Sequence, residues 1–189
     1  MMTTPRSRFL LLASLLVGCG AAPEEGLAYD DAEVELASAR DTAAKAAITS
    51  AANGLLYMSE SDHAFTWVSS ASQASAPANA AFVHRFFNAT TNGDAMADKP
   101  LSSLKSETVP FGAFAARFAP VRGEDADLFA YHTKMTRLLG AVRTNLANPV
   151  VLRFGRKSSS GLVGAISVYV IGTLPSGKIG GVFTVSVET

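Results

Sequence analysis

Cysteine is almost missing from this chain: among 189 residues there is one, Cys19. A disulfide within the chain is therefore excluded, as is a metal site built on several thiolates. A dominant sign of charge is missing too, with 16 basic residues against 16 acidic ones. Nucleic-acid binding leaves a footprint of clustered Lys and Arg, and this balance gives no reason to expect it. The three histidines, His63, His84 and His132, form neither an HxxxH nor an HExxH pair. There is no nucleophile elbow and no cysteine placed as a nucleophile. These absences together point away from an enzyme, a cofactor and a metal centre.

One short motif invites a different reading and fails on its context. Gly172-Thr173-Leu174-Pro175-Ser176-Gly177-Lys178 fits the first seven positions of a phosphate-binding loop. The next residue is Ile179, where a hydroxyl should reach magnesium, and the residues beyond it alternate like a strand. A phosphate loop needs a helix there, so that its N-terminal amides face the ligand. The plain reading is a hairpin turn, with Pro fixing φ and Gly supplying a positive one.

What the chain does contain begins with a targeting segment. Arg6 and Arg8 precede the apolar run Phe9 to Val17, which is too short to cross a bilayer permanently. The run ends Leu16-Val17-Gly18-Cys19, similar to the lipobox of bacterial lipoproteins, in which cleavage before the cysteine leaves a thiol that carries lipid. We expect residues 1–18 to be a signal peptide and Cys19 to be lipidated, anchoring the protein in the cell envelope. Gly20 comes next in place of the Asp that retains such proteins in the inner membrane. In a Gram-negative cell the outer membrane is then expected. Residues 19–39 hold six carboxylates and no basic residue. They read as a flexible acidic tether, poor in the apolar surface that offsets ordering entropy, although the second half is able to extend the next helix.

Residues 40–189 read as one α+β domain. An Ala-rich helix is expected from about Ala37 to Asn53, with Asn53-Gly54 as its stop. Leu55 to Met58 reads as a short buried strand with Phe65 to Val68 as its partner, and the acidic, hydroxyl-rich loop Ser59 to His63 lies between them. Asn79 to Phe87 is a short helix candidate. Leu101 to Val109 contains a strand candidate, and Pro110 to Phe118 a helix with Pro at its start. Asp125 to Asn148 carries the best helical stripe, from Leu128 through Tyr131, Met135, Leu138, Leu139 and Val142 to Leu146. Three strands close the chain: Val150 to Phe154, Ile166 to Ile171, and Val182 to Val187. The last two alternate with a period of two and form a C-terminal hairpin. Trp67, as a strand residue, reads as core.

Taken in order, Gly54-Leu55-Leu56-Tyr57-Met58-Ser59-Glu60-Ser61-Asp62, Asn145-Leu146-Ala147-Asn148-Pro149, Tyr169-Val170-Ile171-Gly172, Pro175-Ser176-Gly177 and Val187-Glu188-Thr189 resemble the nuclease A inhibitor family. That resemblance implies an α/β/α-type sandwich with a mainly antiparallel sheet. It further implies a protein that binds a non-specific, magnesium-dependent DNA/RNA endonuclease and blocks its active site. Two partner-binding residues carry over: Glu60 of the Met-Ser-Glu-Ser loop, and Thr189, which approaches the nuclease's metal. The chemistry of both suits the role, since an exposed carboxylate pairs with phosphate-binding Arg or Lys. A C-terminal carboxylate and hydroxyl offer oxygen to a hard magnesium ion. Two other readings stay open. One is an extracytoplasmic module of the same fold with another partner; the other is a metal-dependent hydrolase using Glu60, Asp62 and His63.

Overall fold

The alternating apolar residues of the last third of the chain become the middle of a five-stranded sheet. The structure is a computed structural model describing residues 26–73, 82–83, 102, 104–159 and 161–188. Its elements are α1 (Gly26–Ala52), β1 (Leu56–Tyr57), β2 (His63–Ala64), β3 (Thr66–Gln73), β4 (Leu104–Pro110), α2 (Phe111–Ala116), α3 (Ala126–Asn145), β5 (Ala147–Lys157), β6 (Leu162–Thr173) and β7 (Lys178–Glu188). The sheet order is β3-β7-β6-β5-β4, and every pairing is antiparallel. This is the expected α+β architecture with its C-terminal hairpin.

Period-two alternation sorts the side chains between two cores. Ile166, Val168 and Val170 of β6 point to a helical layer, where they meet Ile48 of α1, Phe114 of α2 and Met135, Leu138 and Val142 of α3. Tyr169 and Ile171 point to the opposite face, with Leu152, Phe154, Phe183 and Val185. Phe82 and Val83 are the described residues outside the sheet that pack there. Trp67 is half-buried against the helix-side core, as its place on a strand suggests.

Helix α3 begins where its sequence says it should. The Asp125 carboxylate accepts from the amides of Asp127, at 2.9 Å, and Leu128, at 3.4 Å, satisfying donors that a helix start leaves open. It ends at Asn145, three residues before the expected stop, because Leu146 is already extended and β5 starts at Ala147. Asn148 (φ 48°) takes a left-handed conformation at an irregularity in the β5–β6 register, which asparagine tolerates better than most residues. The turn of the false phosphate motif is the β6–β7 connection. Gly177 (φ 82°) donates to the Leu174 carbonyl at 2.8 Å, and Lys178 opens a strand where the motif requires a helix.

Two expectations are corrected. Leu55 to Met58 is not a buried strand paired with Phe65 to Val68. Only Leu56 and Tyr57 are in strand conformation, their partners are Ala64 and His63, and Leu56 and Met58 are exposed. Residues 66–69 pair instead with β7. The reason is register: β7 offers a long buried edge, and an eight-residue strand gains more there than on a two-residue ribbon. The first helix also starts earlier than Ala37. It begins at Gly26, because the acidic segment contains Ala, Glu and Leu, all good helix formers.

Candidate functional site

The β1–β2 ribbon lies over the end of β7, and backbone chemistry fixes it there. The Glu60 amide donates to the Val187 carbonyl at 3.3 Å, and the Val187 amide donates to Ser59 Oγ at 3.1 Å. One residue of β7 thus holds the loop by both of its peptide groups, as an added short strand would. Ser59 Oγ donates onward to the Ser61 carbonyl at 2.6 Å, a hydroxyl turn that stiffens the loop from within. Thr184 Oγ1 donates to the His63 carbonyl at 3.1 Å and ties down the second strand of the ribbon. With its backbone held at these points, Glu60 projects from an exposed position.

The same ribbon is supported from α3. The Met58 amide donates to Tyr131 Oη at 3.3 Å. Tyr57, Phe118 and Tyr131 stack edge-to-face in series, with ring centroids 6.3 and 6.1 Å apart, a geometry that aromatic quadrupoles favour. Burial is the main cause that pushes both phenols above their ordinary range. For Tyr131 the Met58 amide works against that shift and the Tyr57 and Asp62 charges add to it; for Tyr57, Arg153 and Arg117 oppose it and Glu188 adds. Met58, in the loop itself, stays exposed, as do Val121, Leu128 and Phe129 before and within the first turns of α3. A solvent-facing Met next to a loop carboxylate is the kind of group a protein-binding surface presents. The segment before α3 is ordered by Glu124, which accepts from the Val121 amide at 3.0 Å and sits 3.0 Å from His132 Nδ1.

Beneath the strand end is an ionic cluster. Arg153 Nη1 donates to Glu107 Oε2 at 3.0 Å, Nη2 donates to Glu188, and Ser186 Oγ donates to Glu188 Oε1 at 3.0 Å. The acidic loop, the end of β7 and this cluster occupy one pole of the molecule. At the other pole Asp41 of α1 accepts from the amide and hydroxyl of Ser176 in the β6–β7 turn.

A profile of nuclease A inhibitor-like proteins matches residues 42–189. The chain belongs to the nuclease A inhibitor-like family. As a family of inhibitors, it assigns this chain a nuclease as partner at the level of the family. Comparison with curated proteins gave no match. The first turns of α1 precede the matched residues.

Of the residues singled out in the sequence of this nuclease A inhibitor-like chain, Glu60 stands in the loop held by Val187. Thr189, Cys19 and His84 lie outside the described residues. Glu60, Asp62 and His63 form no group that could hold a metal ion, and no such group of three occurs among the described residues. His63 Nε2 lies instead 2.9 Å from Ser61 Oγ. Sequence reasoning missed Arg153, Ser59 and Tyr131. Arg153 did carry a signal, a single charge inside the apolar run Val150-Val151-Leu152-Arg153-Phe154. Ser59 stood in the family motif and Tyr131 in the helical stripe, but neither signal revealed contacts 128 and 73 residues away in sequence.

Proposed function

We propose that this chain inhibits a non-specific, magnesium-dependent DNA/RNA endonuclease by occupying its active site with Glu60 and with its last residue, Thr189. The observation that supports this most is the pair of hydrogen bonds that join Val187 to the Ser59 hydroxyl and the Glu60 amide. They bring the acidic loop beside the strand that leads to Thr189, so that two groups far apart in sequence act on one partner surface. A nuclease cleft is cationic because it binds phosphodiester, and a loop carboxylate replaces the phosphate charge for its Arg or Lys. Terminal oxygens suit the cleft's magnesium or its waters. The chain itself catalyses nothing in this scheme.

The protein is further proposed to sit in the cell envelope, anchored through lipid on Cys19, in the outer membrane if the cell is Gram-negative. Helix α1 would then enter the domain from the pole of Ser176, and the Glu60 pole would face away from the anchor.

The test is inhibition of a panel of magnesium-dependent non-specific nucleases by the purified chain and two variants. Glu60→Ala is expected to weaken inhibition by about 2–5 kcal/mol, the usual loss for one partner of a desolvated charge pair, with unchanged melting temperature. A short C-terminal extension is expected to abolish most inhibition, since each added strand residue moves the chain end by about 3.3 Å. Unchanged inhibition by the extended protein overturns the role of Thr189. A chain that inhibits no member of the panel points to a partner of another kind.

A further inference from the structure

Arg153 is a charged side chain on an apolar face. Its neighbour Val151 belongs to the helix-side core, while Leu152 and Phe154 belong to the opposite one, so alternation sends Arg153 toward the helices. Its side chain is 13% exposed. A guanidinium so placed is strongly unfavourable unless its donors are paired, and this one is paired twice. Glu107 is its direct cross-strand neighbour on β4. Glu188 is not: it aligns with Gly164 of β6, whereas the β6 residue aligned with Arg153 is Val168. The guanidinium therefore reaches diagonally across β6 to the last described residue of β7.

That end of β7 needs holding. Pairing with β3 stops at Phe183, so Thr184 to Glu188 have a strand partner on the β6 side alone. Strand ends paired on one side open at low cost. On the other side sit the Ser59 hydroxyl and the Glu60 amide, both joined to Val187. Val187 lies between Ser186 and Glu188, the two residues joined to each other and, through Glu188, to Arg153.

We propose that Arg153 is a positioning residue for the partner-binding loop. By holding Glu188 it fixes Val187, and Val187 fixes the backbone of Glu60. The role in inhibition rests on the function proposed above; the mechanical coupling from Arg153 to the loop does not.

Two readouts on the full chain separate these. In Arg153→Gln and Glu188→Gln, amide hydrogen exchange at Glu60 and Val187 is expected to accelerate about tenfold or more, as local opening becomes easier, while Val168 and Val170 exchange as before. Inhibition of a magnesium-dependent nuclease is expected to weaken by about tenfold or more, the range for losing a charge-assisted contact. This loss should shrink in a Glu60→Ala background, because the loop being positioned no longer contributes. Arg153→Lys is expected to recover part of both effects, retaining the charge but not the fork. Should Arg153→Gln fail to fold, Glu188→Gln and Arg153→Lys carry the same comparison. Unchanged exchange at Glu60 and Val187, or acceleration spread equally over the core, overturns the coupling. Inhibition weakened by Glu60→Ala but untouched by the Arg153 and Glu188 variants overturns the positioning role. A wild-type chain that inhibits nothing overturns the proposed function, and the exchange data still decide the coupling.

Discussion

Two phenols under the Glu60 loop make stability depend on pH at the alkaline end. Tyr57 and Tyr131 are raised above 10.0 chiefly by burial, which disfavours the phenolate. For a group whose folded pKa lies above its unfolded one, the stabilisation is complete below the unfolded value and is lost as pH rises through the folded value. Stability should therefore be level with respect to these tyrosines up to about pH 10 and fall above it. Chemical denaturation at a series of alkaline pH values checks this, and Tyr57→Phe should reduce the fall. Tyr131→Phe removes in addition the acceptor of the Met58 amide. That amide can turn to solvent, so the cost should stay near the ~0.5–1.5 kcal/mol of an ordinary hydrogen bond, while amide exchange at Met58 speeds up.

Among the elements, the β6–β7 hairpin tolerates least change. A Cβ on Gly181 would stand 2.1 Å from the Val170 carbonyl oxygen, and one on Gly172 would stand 2.8 Å from that of Ala147. Both obstacles are backbone, which has no rotamer to yield. Gly181→Ala should then cost at least the ~1–3 kcal/mol of an overpacked core, read as a lower denaturant midpoint. Asp125→Ala should cost about 0.5–2 kcal/mol through the lost cap of α3. The cost falls on the helix, so Glu60 and its contacts should keep their exchange behaviour. Ser59→Ala gives the opposite pattern: small in global stability, because the loop is exposed, yet large in exchange at Val187, whose amide loses its acceptor.

At the scale of the molecule, the length of β7 separates the pole of Ser176 from the pole of the Glu60 loop. Helix α1 meets the domain at Ser176, beside the start of β7, and the Glu60 loop meets it at Val187, beside the end. The strand between them has 11 residues, and at about 3.3 Å each a partner bound at the Glu60 loop, as proposed, would stand well clear of Ser176. Asp41→Ala should loosen α1 from the β6–β7 turn and leave inhibition unchanged, since no part of the Glu60 pole moves with it. The anchoring proposal has its own check. Cys19→Ala should shift the protein from the membrane pellet to the soluble fraction, and a variant that still pellets after a high-salt wash would refute it.

The sequence by itself determined what repeats locally. Period-two alternation placed β6 and β7 and sorted their faces, a 3.6-residue stripe placed α3, and Pro-Ser-Gly placed the turn that a phosphate motif counterfeits. Each of these signals is carried by neighbours in the chain, where propensity and burial act together. An ordered set of short motifs also indicated the family. What only the tertiary structure decided is pairing at a distance. Residues 66–69 chose the buried edge of β7 over the two-residue ribbon beside them, because a strand's partner is set by the surface it can cover and not by proximity. Arg153, a charge in an apolar strand, makes sense only with Glu107 and Glu188 brought to it by the fold. Ser59, Tyr131 and Val187 acquired their roles in the same way. A single hydrogen bond joins groups that no periodicity relates, and so it leaves no trace in the sequence.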